Sequence, residues 1–355
     1  MNQALQSYIY NPNASLPKIK RTAIVRAQDT SKPILAGSRS QKPISTSGQR
    51  SEDVFKSSSP ISTNLRFDRF LGLASLTRPD DVVPSLMLSL GGSWMTANLS
   101  LEFINLPLVW TTALCSACIA GASMLANDCY DHSNGTDALN KRESALESGQ
   151  LEVAHVALAS GCIYGAALLG ACYLETLNAR LLVATSALIT FIYTPLFKKV
   201  TIVKNLVVAA VVASSILAGG LAITGDAASF PMRTYASTLY IFLSILGREI
   251  LKDVVDVDGD RVTGVRTFPV IFGRELGIVL SGACSLGANV FLAKLLWSNS
   301  SHFVLLIAMV NSFPMHFKLL KLLMLSNGDA NVESVVKLDT KFTMAFGLYL
   351  LAIAV

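Results

Sequence analysis

From about residue 84 onward, apolar runs of membrane-spanning length alternate with short charged stretches. The runs cover residues 84–104, 107–126, 153–173, 180–197, 204–223, 234–250, 276–296, 302–322 and 339–355. A helix needs about 20 residues to cross the hydrocarbon core of a bilayer. The pattern therefore predicts an all-α membrane protein with nine transmembrane helices. No stretch between the runs is long enough for a soluble domain, so a single membrane domain over 66–355 is expected.

Composition supports the same reading. Hydrophobic residues make up 52% of the chain and charged residues 15%, with a mean hydropathy of +0.49. A soluble protein carries roughly 25% charged residues. The net charge of +5 does not point to nucleic acid. No basic stripe is interleaved with aromatic residues, and many Lys and Arg residues sit at the ends of apolar runs, where topology accounts for them.

Residues 1–60 differ in character. They are rich in Ser, Thr, Gln, Lys and Arg, with eight Lys or Arg up to Arg50 and Asp29 as the only acid before Glu52. A basic, hydroxyl-rich, acid-poor leader without a secretory apolar core reads as an organellar transit peptide. Ile24-Val25-Arg26-Ala27 is similar to a plastid processing site. A chloroplast membrane is the expected address, the mitochondrial inner membrane the second, and a plain disordered tail the third.

If every run spans, the loops after the second, fourth, sixth and eighth runs lie on one side. Those loops carry most of the charge: Asp128, Asp131, Asp137, Lys141 and Arg142; then Lys198, Lys199 and Lys204; then Arg248 through Arg266. The positive-inside rule places that face toward the cytoplasm or, in a plastid, the stroma.

Two clusters carry the chemistry. Asn127-Asp128-Cys129-Tyr130-Asp131 closes the second run. On a helix Asn127 and Asp131 share a face, with Asp128 three residues from Asp131. In the second cluster Asp253, Asp256 and Asp260 stand at i, i+3 and i+7, which predicts one carboxylate stripe on a helix. Carboxylates at a membrane boundary are costly unless solvated, paired or metal-bound. Oxygen-only ligands suit Mg²⁺, which binds through one or two carboxylates and substrate phosphates. A phosphorylated leaving group also needs cations, and Arg142, Lys198, Lys199, Lys204 and Lys252 are candidates on the same side. The bland alternative for each cluster is a solvated helix end.

Other chemistries fit poorly. Cys115 and Cys118 form a CxxC inside an apolar run, without a second pair or a nearby His, and read as small packing residues. Asp256-Val257-Asp258-Gly259-Asp260 is not an EF-hand loop, because the glycine comes too early and no distal Glu follows. The four histidines form neither a zinc nor a triad pattern, and there is no P-loop.

These residues resemble the UbiA prenyltransferase superfamily over roughly residues 70 to 350. Asn127 to Asp131 is similar to the family's NDxxD motif, and Asp253, Asp256 and Asp260 to its DxxDxxxD motif. Ile192 to Lys199 is similar to the Tyr-Thr-Pro segment, Leu76-Thr77-Arg78-Pro79 to the lead into the first helix, and Arg266 to Gly273 to the stretch after the second motif. The resemblance implies a UbiA-type bundle of nine helices around a central cavity open sideways to lipid. It also implies Mg²⁺ held by Asn127, Asp128, Asp131, Asp253, Asp256 and Asp260 against a prenyl diphosphate. Lys198, Arg142 and Tyr193 are the expected catalytic groups. Arg78, Lys199, Lys204, Lys252 and Asp137 are the expected substrate contacts. Gly135 stands where the commonest first motif has its last Asp, and the next acid is Asp137. That ending resembles naphthoate-type members, whereas the second motif resembles members that prenylate glycerol phosphates.

The expected activity is Mg²⁺-dependent prenyl transfer to a membrane-accessible acceptor. With the plastid-like leader, an aromatic acceptor of the prenylquinone, tocopherol or chlorophyll type is the first expectation. A glycerol-phosphate lipid acceptor is the alternative within the class. A secondary transporter using the acids as an ion path is the rival from another class, and it predicts charges near the bilayer midplane. Gly219 and Gly220 are small residues that could set the prenyl chain length.

Overall fold

The computed structural model describes residues 61–135, 144–197, 200–299, 302–324 and 340–354. The helices are α1 (Ile61–Leu76), α2 (Pro79–Thr96), α3 (Pro107–Asn134), α4 (Val153–Cys172), α5 (Leu177–Ile192), α6 (Val203–Thr224), α7 (Met232–Val255), α8 (Val257–Thr263), α9 (Phe268–Phe272), α10 (Arg274–Asn299), α11 (His302–Met324) and α12 (Thr340–Ala354). Among the described residues there is no strand.

Every apolar run overlaps a helix, and among the described residues six helical segments are long and apolar enough to cross a membrane. Helices α2, α7 and α12 do not reach that standard. Asp80 and Asp81 open α2, Arg248, Glu249, Lys252 and Asp253 close α7, and the described part of α12 is 15 residues long. Leu158, Leu169, Phe191, Val290, Phe303 and Phe313 lie exposed on the bundle's outer surface. An apolar exterior of this extent belongs in lipid. The protein is a multi-pass, membrane-embedded helical bundle.

Local sequence sets the helix ends, and two of them differ from expectation. The first span runs from Pro79 to Thr96 rather than from 84 to 104. Pro79 is preorganised for the first helical turn. At the other end the chain passes through left-handed Asn98 (φ 51°) and Leu99 (φ 65°) into a short 3₁₀ turn, Leu101–Asn105. The second span continues through the NDxxD segment to Asn134 and stops at Gly135, whose φ of 73° is open to glycine at low cost.

A close helix crossing joins α2 to α6. Small residues line it: Ser89, Gly92 and Ser93 on α2, and Ser215 and Gly219 on α6. A Cβ at Gly92 would land on the Ile216 carbonyl, and one at Gly219 on the Ser89 carbonyl. Ser93 Oγ donates to Gly219 O at 2.9 Å. Lipid tails are as apolar as side chains, so close backbone packing of this kind drives association in a membrane. Gly219 and Gly220 are therefore packing residues and not cavity walls: a Cβ at Gly220 would meet Phe230 and Thr96.

Gly219→Leu should lower the melting temperature of the detergent-purified protein by many degrees or prevent its folding. A Cβ added at Gly287, in α10, would meet nothing within 4 Å. Gly287→Ala should leave the melting temperature unchanged or raise it, since alanine is favoured by about 1 kcal/mol in a helix.

Candidate active site

The charged ends of α2, α3, α6 and α7 meet at one end of the bundle. Arg78, just before α2, forms an ion pair with Asp128 of α3. Lys204 Nζ, in the first turn of α6, lies 2.6 Å from Asp253 Oδ1 of α7, and Asn205 Nδ2 donates to Asp253 Oδ2 at 2.9 Å. The Arg248 guanidinium reaches Asp81 Oδ1 at 3.3 Å. Of the acids and bases that the sequence placed on one side, Asp128, Lys204, Arg248 and Asp253 each take a partner from another helix or its lead-in here.

Two backbone distortions accompany this convergence. Arg78 has φ 52°, ψ 79°. Ile202 has φ 67°, ψ −42°, with Val203 N–H bonded to Thr201 O at 2.7 Å, a γ-turn geometry that is rare for a β-branched residue. Such conformations cost about 1–3 kcal/mol each and persist only where surrounding contacts enforce them. One delivers Arg78 to Asp128. The other starts α6 so that Lys204 faces Asp253.

In the first motif, Asn127 Nδ2 donates to Asp131 Oδ2 at 2.9 Å, the i to i+4 contact expected on a helix. Asp128 and Asp131 are buried. The second motif departs from the expected single stripe. Helix α7 ends at Val255, Asp256 has φ −87°, ψ 6°, and α8 begins at Val257. Asp253 and Asp260 are buried on either side of this break, while Asp256 is exposed. Residues Asp256 to Gly259 combine poor helix formers, so the helix bends there instead of carrying three carboxylates in register.

Tyr193 sits between the motifs. It opens a π-helical turn, Tyr193–Phe197, in which Pro195 cannot donate a backbone hydrogen bond. Asp131, Glu249, Asp253 and Asp260 all lie within electrostatic reach of its side chain. Lys204 is within reach of Asp253, Asp260 and Glu249.

Beside this cluster opens a cavity of about 510 Å³, lined from α2, α3, α5, α6, α7 and α12. Asn127, Tyr193, Arg78, Arg248, Glu249 and Lys252 stand at its charged end. Its apolar part descends along α3 to Ser116, eleven residues from Asn127. At 1.5 Å per residue that is about 16 Å, half a hydrocarbon core. Several wall hydroxyls are turned back onto their own helices: Ser123 bonds Ala120 O, Thr190 bonds Ser186 O and Ser214 bonds Val211 O. The chamber is thus apolar in effect and suited to an isoprenoid tail. Val83 and Met87 line it and are also exposed, so it reaches the outer surface beside α2.

Several expected site residues fall elsewhere. Asp137, Arg142, Lys198 and Lys199 lie outside the described residues. Asp128, Asp131, Asp253, Asp256, Asp260 and Lys204 do not line the cavity; of the five acids, all but Asp256 are buried. Four charged cavity residues had no assigned role from sequence: Asp80, Asp81, Arg248 and Glu249. Their signal was an acid pair in the first turn of a span and a basic–acidic pair one turn before the second motif. Cys115 is buried, with its thiol on Ala167 O at 3.4 Å, in line with a packing role.

The donor chemistry fits Mg²⁺. Burial pushes the Asp260 carboxyl up to about 6, with Lys204 opposing and Asp253 and Asp256 reinforcing. Among the described residues no three His, Cys, Asp or Glu side chains form a complete cage.

Fold and site define a class: a membrane-embedded helical bundle with buried carboxylates at one end and an apolar chamber opening beside them. The profile of the UbiA prenyltransferase family matches residues 85–334. The chain belongs to this family and is a prenyltransferase. It is 29% identical over 218 residues to digeranylgeranylglyceryl phosphate synthase of Natronomonas pharaonis, covering 60% of this chain and 73% of that protein. It is 31% identical over 170 residues to the Methanothermobacter thermautotrophicus enzyme of the same name, covering 48% of this chain and 58% of that one. A solved structure concerning digeranylgeranylglyceryl phosphate synthase in membranes superposes with a TM-score of 0.60 at 20% identity, over 81% of this chain and 98% of that one. A UbiA homologue from Archaeoglobus fulgidus bound to GPP and Mg²⁺ gives 0.54 at 18% identity, over 79% and 100%. These two superpositions carry the fold alone. The relatives named here are archaeal and lend no support to a plastid address, and the 1–60 segment that suggested it lies outside the described residues.

Lys204→Ala should leave Asp253 buried without its cation and cost about 3–5 kcal/mol, read as a large fall in melting temperature. Lys204→Met with Asp253→Leu should recover much of that loss, because an apolar pair of similar volume replaces a buried ion pair at little cost.

Proposed function

We propose that this prenyltransferase moves a prenyl group from a prenyl diphosphate to a phosphorylated glycerol lipid. The observation that carries the reading is the pairing of two buried carboxylate motifs with an apolar chamber that opens directly beside them. The acceptor is suggested by the relatives, whose name describes a product with a glyceryl phosphate and two geranylgeranyl groups. The aromatic, prenylquinone-type acceptor expected first rested on the N-terminal segment and on the Gly135–Asp137 ending of the first motif. No contact among the described residues favours it. The transporter reading needs acids near the midplane, and here they gather at one end of the bundle.

Asn127, Asp128 and Asp131 would hold one Mg²⁺, and Asp256 and Asp260 a second, with Asp253 supporting. Bound there, Mg²⁺ supplies Lewis acidity and a template for the diphosphate. Arg78 holds Asp128, and Asp253 with Asn205 fixes Lys204, so that the carboxylates and the ammonium face the leaving group in set orientations. Lys198, Lys199 and Arg142 add positive charge from the adjoining loops, and Asp137 extends the first motif. As the donor C1–O bond breaks, its electron pair leaves with the diphosphate. The acceptor oxygen bonds to C1 and releases its proton. The apolar walls exclude water from the allylic cation, and the face of Tyr193 offers it π-electron density.

Purified protein in liposomes should transfer label from a prenyl diphosphate to an alkylglycerol phosphate only with Mg²⁺, and Asp128→Ala with Asp260→Ala should abolish this. Transfer to an aromatic acceptor alone would refute the acceptor assignment. Transfer without a divalent cation would refute the role of the two motifs.

A further inference from the structure

A second charged set borders the cavity, distinct from the carboxylate motifs. On α7, Ile241, Ile245, Arg248 and Lys252 follow the i, i+4, i+7, i+11 spacing of one helical stripe, and all four line the cavity. Asp253 lies about 100–140° farther round the helix and faces Lys204 and Asn205 instead. Helix α7 thus separates two faces, one with the motif carboxylate and one with two cations over the chamber.

Across the cavity stands Arg78. All three cations, Lys252, Arg248 and Arg78, act on Asp81, which places them around one point. The carboxylates nearby already have partners. Asp81 takes Arg248 at 3.3 Å, and Glu249 takes Lys252 at 2.8 Å and Arg248 at 4.0 Å. Asp80 lines the exposed rim of the same opening. Yet Nε of Arg78 and Nε of Arg248 are both buried with no acceptor among the described residues. A buried N–H left without an acceptor costs about 1–3 kcal/mol. Two of them beside one opening call for a ligand with several acceptor oxygens, and a phosphate offers that to a guanidinium in the geometry it favours.

We propose that Arg248, with Lys252 and Arg78, binds the phosphate of the acceptor lipid, at a subsite separate from the metal–diphosphate site. This rests on the phosphorylated-glycerol reading above. The same chemistry could serve the donor's diphosphate, but the donor's charges belong beside the motif carboxylates, on the other face of α7. Arg78 joins the two subsites, because its guanidinium holds Asp128 while its side chain also lines the cavity. A phosphate held at Arg248 keeps the acceptor's headgroup at the charged end and leaves its tail in the chamber.

The experiment measures transfer in liposomes with full-length wild type, Arg248→Gln and Arg248→Lys. It uses an alkylglycerol phosphate and the same alkylglycerol without its phosphate, and the donor is titrated separately. Wild type should prefer the phosphorylated acceptor. Arg248→Gln should raise the acceptor KM about ten- to hundredfold, leave the donor KM within about twofold and erase the preference. Arg248→Lys should restore part of it. Asp81→Asn breaks the same ion pair without removing the cation, and should keep the preference even if it lowers the melting temperature. A rise in donor KM with an unchanged acceptor KM would assign these cations to the diphosphate and overturn the proposal. Equal losses on both acceptors would reduce Arg248 to a structural role. Equal wild-type use of both acceptors would remove the subsite while leaving the phosphorylated-glycerol reading standing. Use of neither would remove that reading and the subsite with it.

Discussion

Charge held inside a low-dielectric bundle must find a partner, and the active end of this protein is organised by that requirement. Asp128, Asp131, Asp253 and Asp260 are buried where helices leave the membrane. Ionised carboxylates in such a place are tolerated only with cations, hydrogen-bond donors or a metal. Arg78 meets Asp128, and Lys204 with Asn205 meets Asp253. Each of these contacts joins two helices that are distant in sequence. The same pairs that make the carboxylates bearable therefore also lock α2 to α3 and α6 to α7.

That locking has a backbone cost, carried by Arg78 and Ile202 in left-handed conformations. Both residues begin a helix whose first turn carries site residues. Deeper in the bundle the opposite regime holds. There the α2–α6 crossing has no charge, and the helices meet through Gly92, Gly219 and Ser93, where close backbone contact replaces burial from water as the source of stability. The cavity lies between the two regimes, with ion pairs at its mouth and apolar walls below.

This division accounts for how such an enzyme handles a substrate with a charged head and a long apolar tail. Membership of the UbiA prenyltransferase family fixes the reaction class. The positions of Arg248, Lys252 and Arg78 suggest how a phosphorylated acceptor would be told from an uncharged one. An unpaired buried polar group penalises the wrong substrate more than an apolar wall can.

The sequence by itself determined the elements and their chemistry. Apolar runs of spanning length and the NDxxD spacing that puts Asn127 against Asp131 are local, and helical geometry turns them directly into structure. The gathering of charges on one side followed from counting spans. What local spacing missed was set by contacts between distant segments. The second motif reads as one stripe at i, i+3 and i+7, yet the chain bends at Asp256, with Asp253 paired to Lys204 of α6 on one side of the bend and Asp260 buried on the other. Gly219 could read as a cavity residue until α2 was seen lying against it. Only the tertiary structure decided which partner each charge takes. Arg78 and Asp128 are 50 residues apart, and Arg248 and Asp81 are 167 apart. Helical periodicity carries no information over such separations; the three-dimensional packing of the helices supplies it.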